Sequence, residues 1–142
     1  MANIHLGSDH AGFELKKLLA KELAALGYEV IDHGAHSAES CDYPLVARAL
    51  CEAIASDGGR GVLVCGTGIG MSIAANRFGH IRAALCANEL QARMARRHND
   101  ANVLCLGARV TGSELAIAIM AAFLENSFEG GRHQRRLDEI SA

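Results

Sequence analysis

Five times along this chain a short apolar run is followed by a segment patterned as a helix, and that alternation narrows the fold more than any other feature. The runs are Ile4-His5-Leu6, Tyr28-Glu29-Val30-Ile31, Gly61 to Val64, a stretch around Ile81 to Cys86, and Asn102 to Leu106. After the first, Leu15, Leu18, Leu19, Leu23 and Leu26 recur at helical spacing, with Lys16, Lys17, Lys21 and Glu22 away from them, and Gly27 closes the segment. After the second comes a polar loop through Ser40. Pro44 then suits the first turn of a helix carrying Leu45, Val46, Ala49, Leu50, Ala53 and Ile54. Helices are expected at about 69–76, 89–97 and 113–126, and a basic terminal helix from Gly131. Repeated β-α units with helices long enough for right-handed crossovers predict a Rossmann-like, doubly wound, five-stranded parallel sheet flanked by helices, with a C-terminal helix.

The 142 residues suit one domain spanning 1–142, and no linker, repeat or low-complexity segment interrupts them. Fourteen basic against sixteen acidic residues leave no basic footprint for nucleic acid. Six aromatics without tryptophan offer few stacking platforms. No apolar run approaches the roughly 20 residues of a membrane span. Met1-Ala2-Asn3-Ile4-His5 lacks the order of a signal peptide, so a cytoplasmic location is expected. The five cysteines (41, 51, 65, 86 and 105) form no C-x-x-C pair, which argues against a disulfide framework or zinc knuckle. Cys51, Cys86 and Cys105 fall in apolar segments, as buried free thiols do.

Cys65 is different by position. Cys65-Gly66-Thr67-Gly68-Ile69-Gly70 joins the third strand to a helix, setting a thiol and a hydroxyl among backbone amides that can hold an anionic oxygen. In a doubly wound sheet, ligands bind beyond the carboxyl ends of the strands. That rule gathers the loops after strands one, three and five: Gly7 to Gly12, Cys65 to Gly70, and Gly107-Ala108-Arg109.

A dinucleotide site is disfavoured. The first β-α turn has Gly7 and Gly12, and Asp32 lies where a ribose-binding acid would, but Asp9 replaces the middle glycine of G-x-G-x-x-G. Asp9-His10 reads equally as a helix cap or as a carboxylate and imidazole at the sheet mouth. His98-Asn99-Asp100, after a helix bearing Arg93, Arg96 and Arg97, reads either as a C-terminal cap beside a solvated face or as a site for an acid-base histidine. Arg132 and Arg136, at i and i+4 on the basic tail, are either solvated or a phosphate grip with Arg109 as a third cation. Leu137 and Ile140 form an apolar stripe that must dock. His5, His33, His36 and His80 show no metal-ligand spacing, and no required metal or cofactor is expected.

Taken together, Gly7-Ser8-Asp9-His10-Ala11-Gly12-Phe13, Asp42-Tyr43-Pro44, Cys65 to Gly70, Ile73-Ala74-Ala75-Asn76, Arg96-Arg97-His98-Asn99-Asp100, Gly107-Ala108-Arg109-Val110 and Glu129-Gly130-Gly131-Arg132-His133 resemble the type B ribose-5-phosphate isomerases. These belong to the sugar-phosphate isomerase family that includes allose- and galactose-6-phosphate isomerases, and the resemblance covers essentially the whole chain.

The resemblance implies metal-free aldose–ketose isomerisation of a small phosphorylated sugar through a cis-enediolate. Cys65 is then the base, Thr67 and the amides of Gly66, Gly68, Ile69 and Gly70 stabilise the oxyanion, and His98 opens the furanose ring. Asp9 contacts sugar oxygens, Tyr43 and Asn99 line the sugar pocket, and His10, Arg109, Arg132 and Arg136 hold the phosphate. A branch of the family places a glutamate just after the glycine loop and a serine at the cysteine position. Here the later residue is Met71, so the chain groups with the cysteine type. A homodimer or dimer of dimers with sites at the subunit interface is also implied. The competing readings are a hexose-6-phosphate isomerase and a non-catalytic phosphosugar-binding module on the same fold.

Overall fold

The computed structural model describes residues 3–141. Five strands, β1 (Asn3–Ser8), β2 (Glu29–Asp32), β3 (Arg60–Cys65), β4 (Ala83–Leu85) and β5 (Val103–Gly107), alternate with helices α1 (Phe13–Ala25), α2 (Tyr43–Asp57), α3 (Ile69–Ala75), α4 (Glu89–Asn99) and α5 (Ser113–Glu125). A terminal helix α6 (Arg132–Ser141) follows. All pairings are parallel, in the order β2-β1-β3-β5-β4. The doubly wound reading therefore holds, with the last two strands exchanged relative to simple outward winding. That exchange makes β1, β3 and β5 the three central neighbours, and their tips adjoin. Among the described residues no helix is long and apolar enough to cross a membrane.

Alternation along the strands divides the core into two faces. Val62, Val64, Leu104 and Leu106 pack with Leu19 and Leu23 of α1, Ala92 and Ala95 of α4, and much of α5. Leu63, Cys65, Val103 and Cys105 face the other way, against Val46, Leu50 and Ile54 of α2 and Met71 and Ala75 of α3. The Cys65 side chain thus emerges on the α2/α3 face at the end of β3.

Local signals place most boundaries. Pro44 sits in the first turn of α2, where its missing N–H costs no hydrogen bond. Gly27 takes φ +89° after α1, its N–H donates to Ala24 O and that of Tyr28 to Leu23 O, so the left-handed residue closes the helix. Three details depart from the helical spacing. Leu26 lies past the end of α1 and is exposed, and Leu45 is 62% exposed because the buried stripe of α2 runs through Val46, Ala47, Leu50, Cys51 and Ile54. Of the apolar stripe on α6 only Leu137 is buried, while Ile140 stays in the open. Arg96 and Arg97 do not form a solvated face. Arg96 donates to Asp100 Oδ1 and lies over the Phe123 ring, and Arg97 Nε donates to Asn126 Oδ1 at 2.7 Å, which ties α4 to the segment after α5.

The largest departure is Lys16, expected on the solvent side of α1 and found 1% exposed. Its ammonium donates to Asp32 Oδ1 at 2.8 Å and to the Ala35 carbonyl, so a buried charge holds the β2-α2 loop against α1. Asp32 Oδ1 also accepts from the Gly34 amide at 2.8 Å, which gives this carboxylate a structural role and removes it as a ribose ligand. Lys16→Met should lower unfolding free energy by about 2 kcal/mol, because the buried Ala35 carbonyl loses a donor and Asp32 its partner. The value falls at the low end of a buried-pair loss because Asp32 is 40% exposed and can be rehydrated. Urea denaturation reads it directly; a variant as stable as the parent would contradict the role.

Candidate active site

The chain reverses its lateral direction between β1 and β3, and the loops leaving those two strands meet there. The Asp9 amide donates to Val64 O at 3.2 Å, joining the first loop to the end of β3. On the other side Ala108 N donates to Cys65 O at 2.8 Å and Arg109 N to Gly66 O at 2.9 Å, joining the loop after β5. Three loops are thereby locked around the Cys65 thiol.

Contact at this distance is why glycines stand where they do. A Cβ on Gly12 would come within 2.7 Å of the Val64 carbonyl oxygen, and one on Gly107 within 2.6 Å of the Thr67 carbonyl. Gly68 takes φ +79°, and Gly70 lies beneath the Tyr43 ring, which a Cβ would meet at 2.7 Å. The Arg109 guanidinium lies 3.4 Å from the position a Gly66 Cβ would take. Backbone, cation and phenol ring are therefore layered on one loop.

Within it, Cys65 Sγ accepts the Gly68 amide at 3.2 Å. Ile69 N donates to Thr67 Oγ1 at 3.3 Å, aiming the hydroxyl back over the loop. Among the described residues the amides of Thr67, Gly70 and Met71 have no acceptor of their own, leaving donors for a ligand oxygen. Burial pushes the Cys51 and Cys86 thiols up to about 11 and raises that of Cys105 as well. Those three stay protonated and unreactive at neutral pH.

Asp9 caps the turn His10–Gly12, accepting the Gly12 amide on Oδ1 at 3.1 Å, so the cap reading is correct and its second oxygen is left over. His10 is exposed and accepts the Cys41 amide on Nδ1 at 3.2 Å, leaving Nε2 without a partner among the described residues. Ser8 was legible only as part of a motif. Its buried hydroxyl has no hydrogen-bond partner among the described residues, at the β1 tip beside the thiol loop.

The remaining predicted residues lie elsewhere. His98 and Asn99 are the last two residues of α4, and the left-handed cap is Asp100 at φ +48°. Because α4 runs back down the sheet, its end meets the amino edge of the strands: Asp100 bonds Arg82, just before β4, and Asn102 O accepts from Gly61 N, at the start of β3. Cys65 pairs with Gly107 at the opposite end of β5, about 13 Å of strand from Val103. Arg132 and Arg136 go with His98, since Glu129 N donates to Arg97 O and the His98 and His133 rings stack at 4.2 Å. Within a single chain Asp9 and His98 therefore stand at opposite sheet edges, and Arg132 and Arg136 are parted from Arg109 and do not form the expected three-cation grip with it. One end carries Asp9, His10, Tyr43, Cys65 to Gly70 and Arg109, and the other carries His98, Asn99, Arg132 and Arg136.

Glu129 and His133 join that second group and were not singled out by spacing. Glu129 Oε1 stands 3.7 Å from His98 Nε2 and 3.6 Å from His133 Nε2. Burial, with the neighbouring His98 ring and the Arg132 guanidinium, holds the His133 pKa below the ordinary imidazole value.

Fold and site together define a doubly wound α/β protein whose switch point carries a thiol in a nest of backbone donors, with a second, histidine- and arginine-bearing surface at the far edge. The family model for ribose/galactose isomerases matches residues 4–140, and the chain belongs to that family. Ribose-5-phosphate isomerase B of Escherichia coli K12 is 48% identical over 145 residues, covering 100% of this chain and 96% of that one. Among solved structures, ribose-5-phosphate isomerase B of Clostridium thermocellum superposes with a TM-score of 0.96 at 50% identity, covering 98% of this chain and 95% of that one. The Mycoplasma genitalium protein, solved with bound ribulose-5-phosphate, gives a TM-score of 0.94 at 40% identity, covering 98% of this chain and 93% of its own.

The close approach at Gly107 offers a test of the loop. Gly107→Ala must displace the Thr67 carbonyl and with it the amide nest. Kcat/KM should fall about 100-fold for a displacement near 1 Å, while the far-UV circular dichroism of the fold is retained. Unchanged kinetics in this variant would show that the nest is not used.

Proposed function

We propose that this chain is an aldose–ketose isomerase interconverting ribose 5-phosphate and ribulose 5-phosphate, with Cys65 as the proton-transferring base. The observation that carries this reading is the Cys65 sulfur seated on the Gly68 amide, inside a loop with further donors unpaired. Relatives spanning the full chain are ribose-5-phosphate isomerases B, one of them holding ribulose-5-phosphate. The position used by a glutamate in the other branch of the family is Met71, fully buried, so that carboxylate is replaced here by a thioether.

The chemistry follows from what each group can donate or accept. A ring-opening imidazole moves a proton from the anomeric hydroxyl to the ring oxygen, breaking the C1–O bond and exposing the C1 aldehyde. The Cys65 thiolate removes the C2 proton, and the electron pair moves onto the former carbonyl oxygen. The resulting enediolate charge falls on the Thr67 hydroxyl and on the amides of Thr67, Gly70 and Met71, which have no acceptor of their own among the described residues. Cys65 returns its proton to C1 while the C2 hydroxyl proton passes to the C1 oxygen, leaving the C2 ketone. Asp9, through its free oxygen, and Tyr43 orient the sugar hydroxyls. No metal or cofactor enters these steps.

The placement of His98 makes the chain's own site incomplete and supports a homodimer in which each Cys65 loop faces the histidine edge of the other copy. His98 and Asn99 of one subunit then complete the sugar site of its partner. Arg132 and Arg136 join His10 and Arg109 around the phosphate, four cationic or donor groups that anchor the end of the substrate remote from reaction. The apolar residues left exposed beside the thiol loop, Ile69, Ile73 and Val110, suit such an interface. The same reading makes residues 1–142 one catalytic domain and places the enzyme in the cytoplasm, where phosphorylated sugars are retained.

Mixing inactive variants tests both parts at once. Cys65→Ala and His98→Asn homodimers each lack one component in both sites. After unfolding and refolding of an equal mixture, half the dimers are mixed, each with one site that has both Cys65 and His98. Turnover of ribose 5-phosphate should therefore return to about a quarter of the parental rate. No recovery, with mixed dimers demonstrated by mass, would contradict the composite site.

A further inference from the structure

We propose that His98, Glu129 and His133 form a binding site for a divalent metal ion of the zinc class, one that regulates rather than serves the isomerase. The three candidate ligand atoms, two imidazole Nε2 and one carboxylate oxygen, all lie within 4.8 Å of one another. Their spacing is the informative quantity. At 3.6 and 3.7 Å the Nε2–Oε1 separations are too long for direct hydrogen bonds. Zinc–ligand bonds of 2.0–2.1 Å around a tetrahedral ion set ligand atoms about 3.3 Å apart, so these two edges need close by only a few tenths of an ångström. The imidazoles are stacked with centroids 4.2 Å and planes 12° apart, so their in-plane lone pairs run nearly parallel, and one ring must tilt for both to meet a single ion beside the shared carboxylate.

The three residues come from two stretches of the chain, and the fold holds them together independently of any ion. His98 is on the last turn of α4, His133 on the first turn of α6, and Glu129 in the connection before it. The Glu129 amide bonds Arg97 O at 2.9 Å, and Arg97 Nε bonds Asn126 Oδ1, so the connection is fastened to the end of α4 on both sides of the cluster. Gly130 and Gly131, at φ +70° and +58°, make the turn that brings His133 back over His98. His133 is buried, and His98 and Glu129 are open enough for an ion to enter.

Two imidazoles and one carboxylate form a ligand set that zinc accepts, and three protein ligands leave a fourth position for water. Arg132 beside the cluster and Arg136 one turn on repel a dication. The ion is therefore exchangeable rather than structural. Coordination occupies the His98 lone pair that ring opening requires. Inhibition thus rests on the role given to His98 above, whereas the binding site itself does not.

Titration of reduced, full-length protein with zinc against a chromophoric chelator, and with cobalt by absorption, tests the site. One ion per chain is expected, with cobalt showing tetrahedral d–d bands and no thiolate charge-transfer band. Glu129→Gln, a near-isosteric change at a half-exposed side chain, and His133→Gln should each weaken zinc binding by roughly tenfold or more, and Cys65→Ser should leave it unchanged. Binding insensitive to both Glu129→Gln and His133→Gln would overturn the site, as would binding lost in Cys65→Ser with a thiolate band in the parent. Zinc should also slow ribose 5-phosphate turnover reversibly in the parent, and less in Glu129→Gln. Zinc bound at the cluster without slowing turnover would uphold the site and overturn the ring-opening role of His98.

Discussion

The site depends on how closely three backbones approach at the tips of β1, β3 and β5. Gly12 lies against the Val64 carbonyl and Gly107 against that of Thr67, at distances where any side chain would collide with main chain. Because those contacts are backbone to backbone, a small shift cannot be absorbed by a rotamer change. The Cys65 loop therefore inherits the rigidity of the sheet, and its amides remain oriented without a bound ligand. An oxyanion site is effective to the extent that its dipoles are already aligned when charge develops. The two glycines convert the packing of a parallel sheet into that alignment.

The same topology that builds one half of the site excludes the other. A helix following a parallel strand must return to the amino edge of the sheet, and α4 carries His98 and Asn99 there with it. The tail then returns to the same edge through the Glu129–Arg97 bond, bringing Arg132 and Arg136. A single chain thus presents a thiol among backbone donors at one edge and an imidazole with two guanidiniums at the other. A second copy of the chain is the most economical way to bring the two ends together.

The alternation of apolar runs and helical stripes made the fold class legible, and Pro44 and Gly27 marked helix ends through local backbone chemistry that needs no tertiary context. Cys65 stood out because a thiol between a strand and alternate glycines has few packing explanations. What could not be read was whatever depended on a distant partner. Lys16 looked like a solvent-facing residue because its acceptors, Asp32 and the Ala35 carbonyl, lie 16 and 19 residues further along the chain. The solvated reading of Arg97 failed for the same reason, its acceptor lying at Asn126, and Arg96 adds to its local pair with Asp100 a contact with the distant Phe123 ring. His98 was assigned a role from its motif, and the motif carried no information about which sheet edge it occupied. Glu129 and His133 meet it only through the turn at Gly130 and Gly131, which no spacing rule anticipates.

The central claim is that the Cys65 sulfur carries the proton between C1 and C2. Ribose 5-phosphate incubated in deuterium oxide with Cys65→Ala, whose folding is checked by its thermal transition, reads that step directly by proton NMR at C1 and C2. The account predicts deuterium incorporation with the parent protein and none above the enzyme-free rate with the variant. Exchange at the parental rate in Cys65→Ala would contradict it.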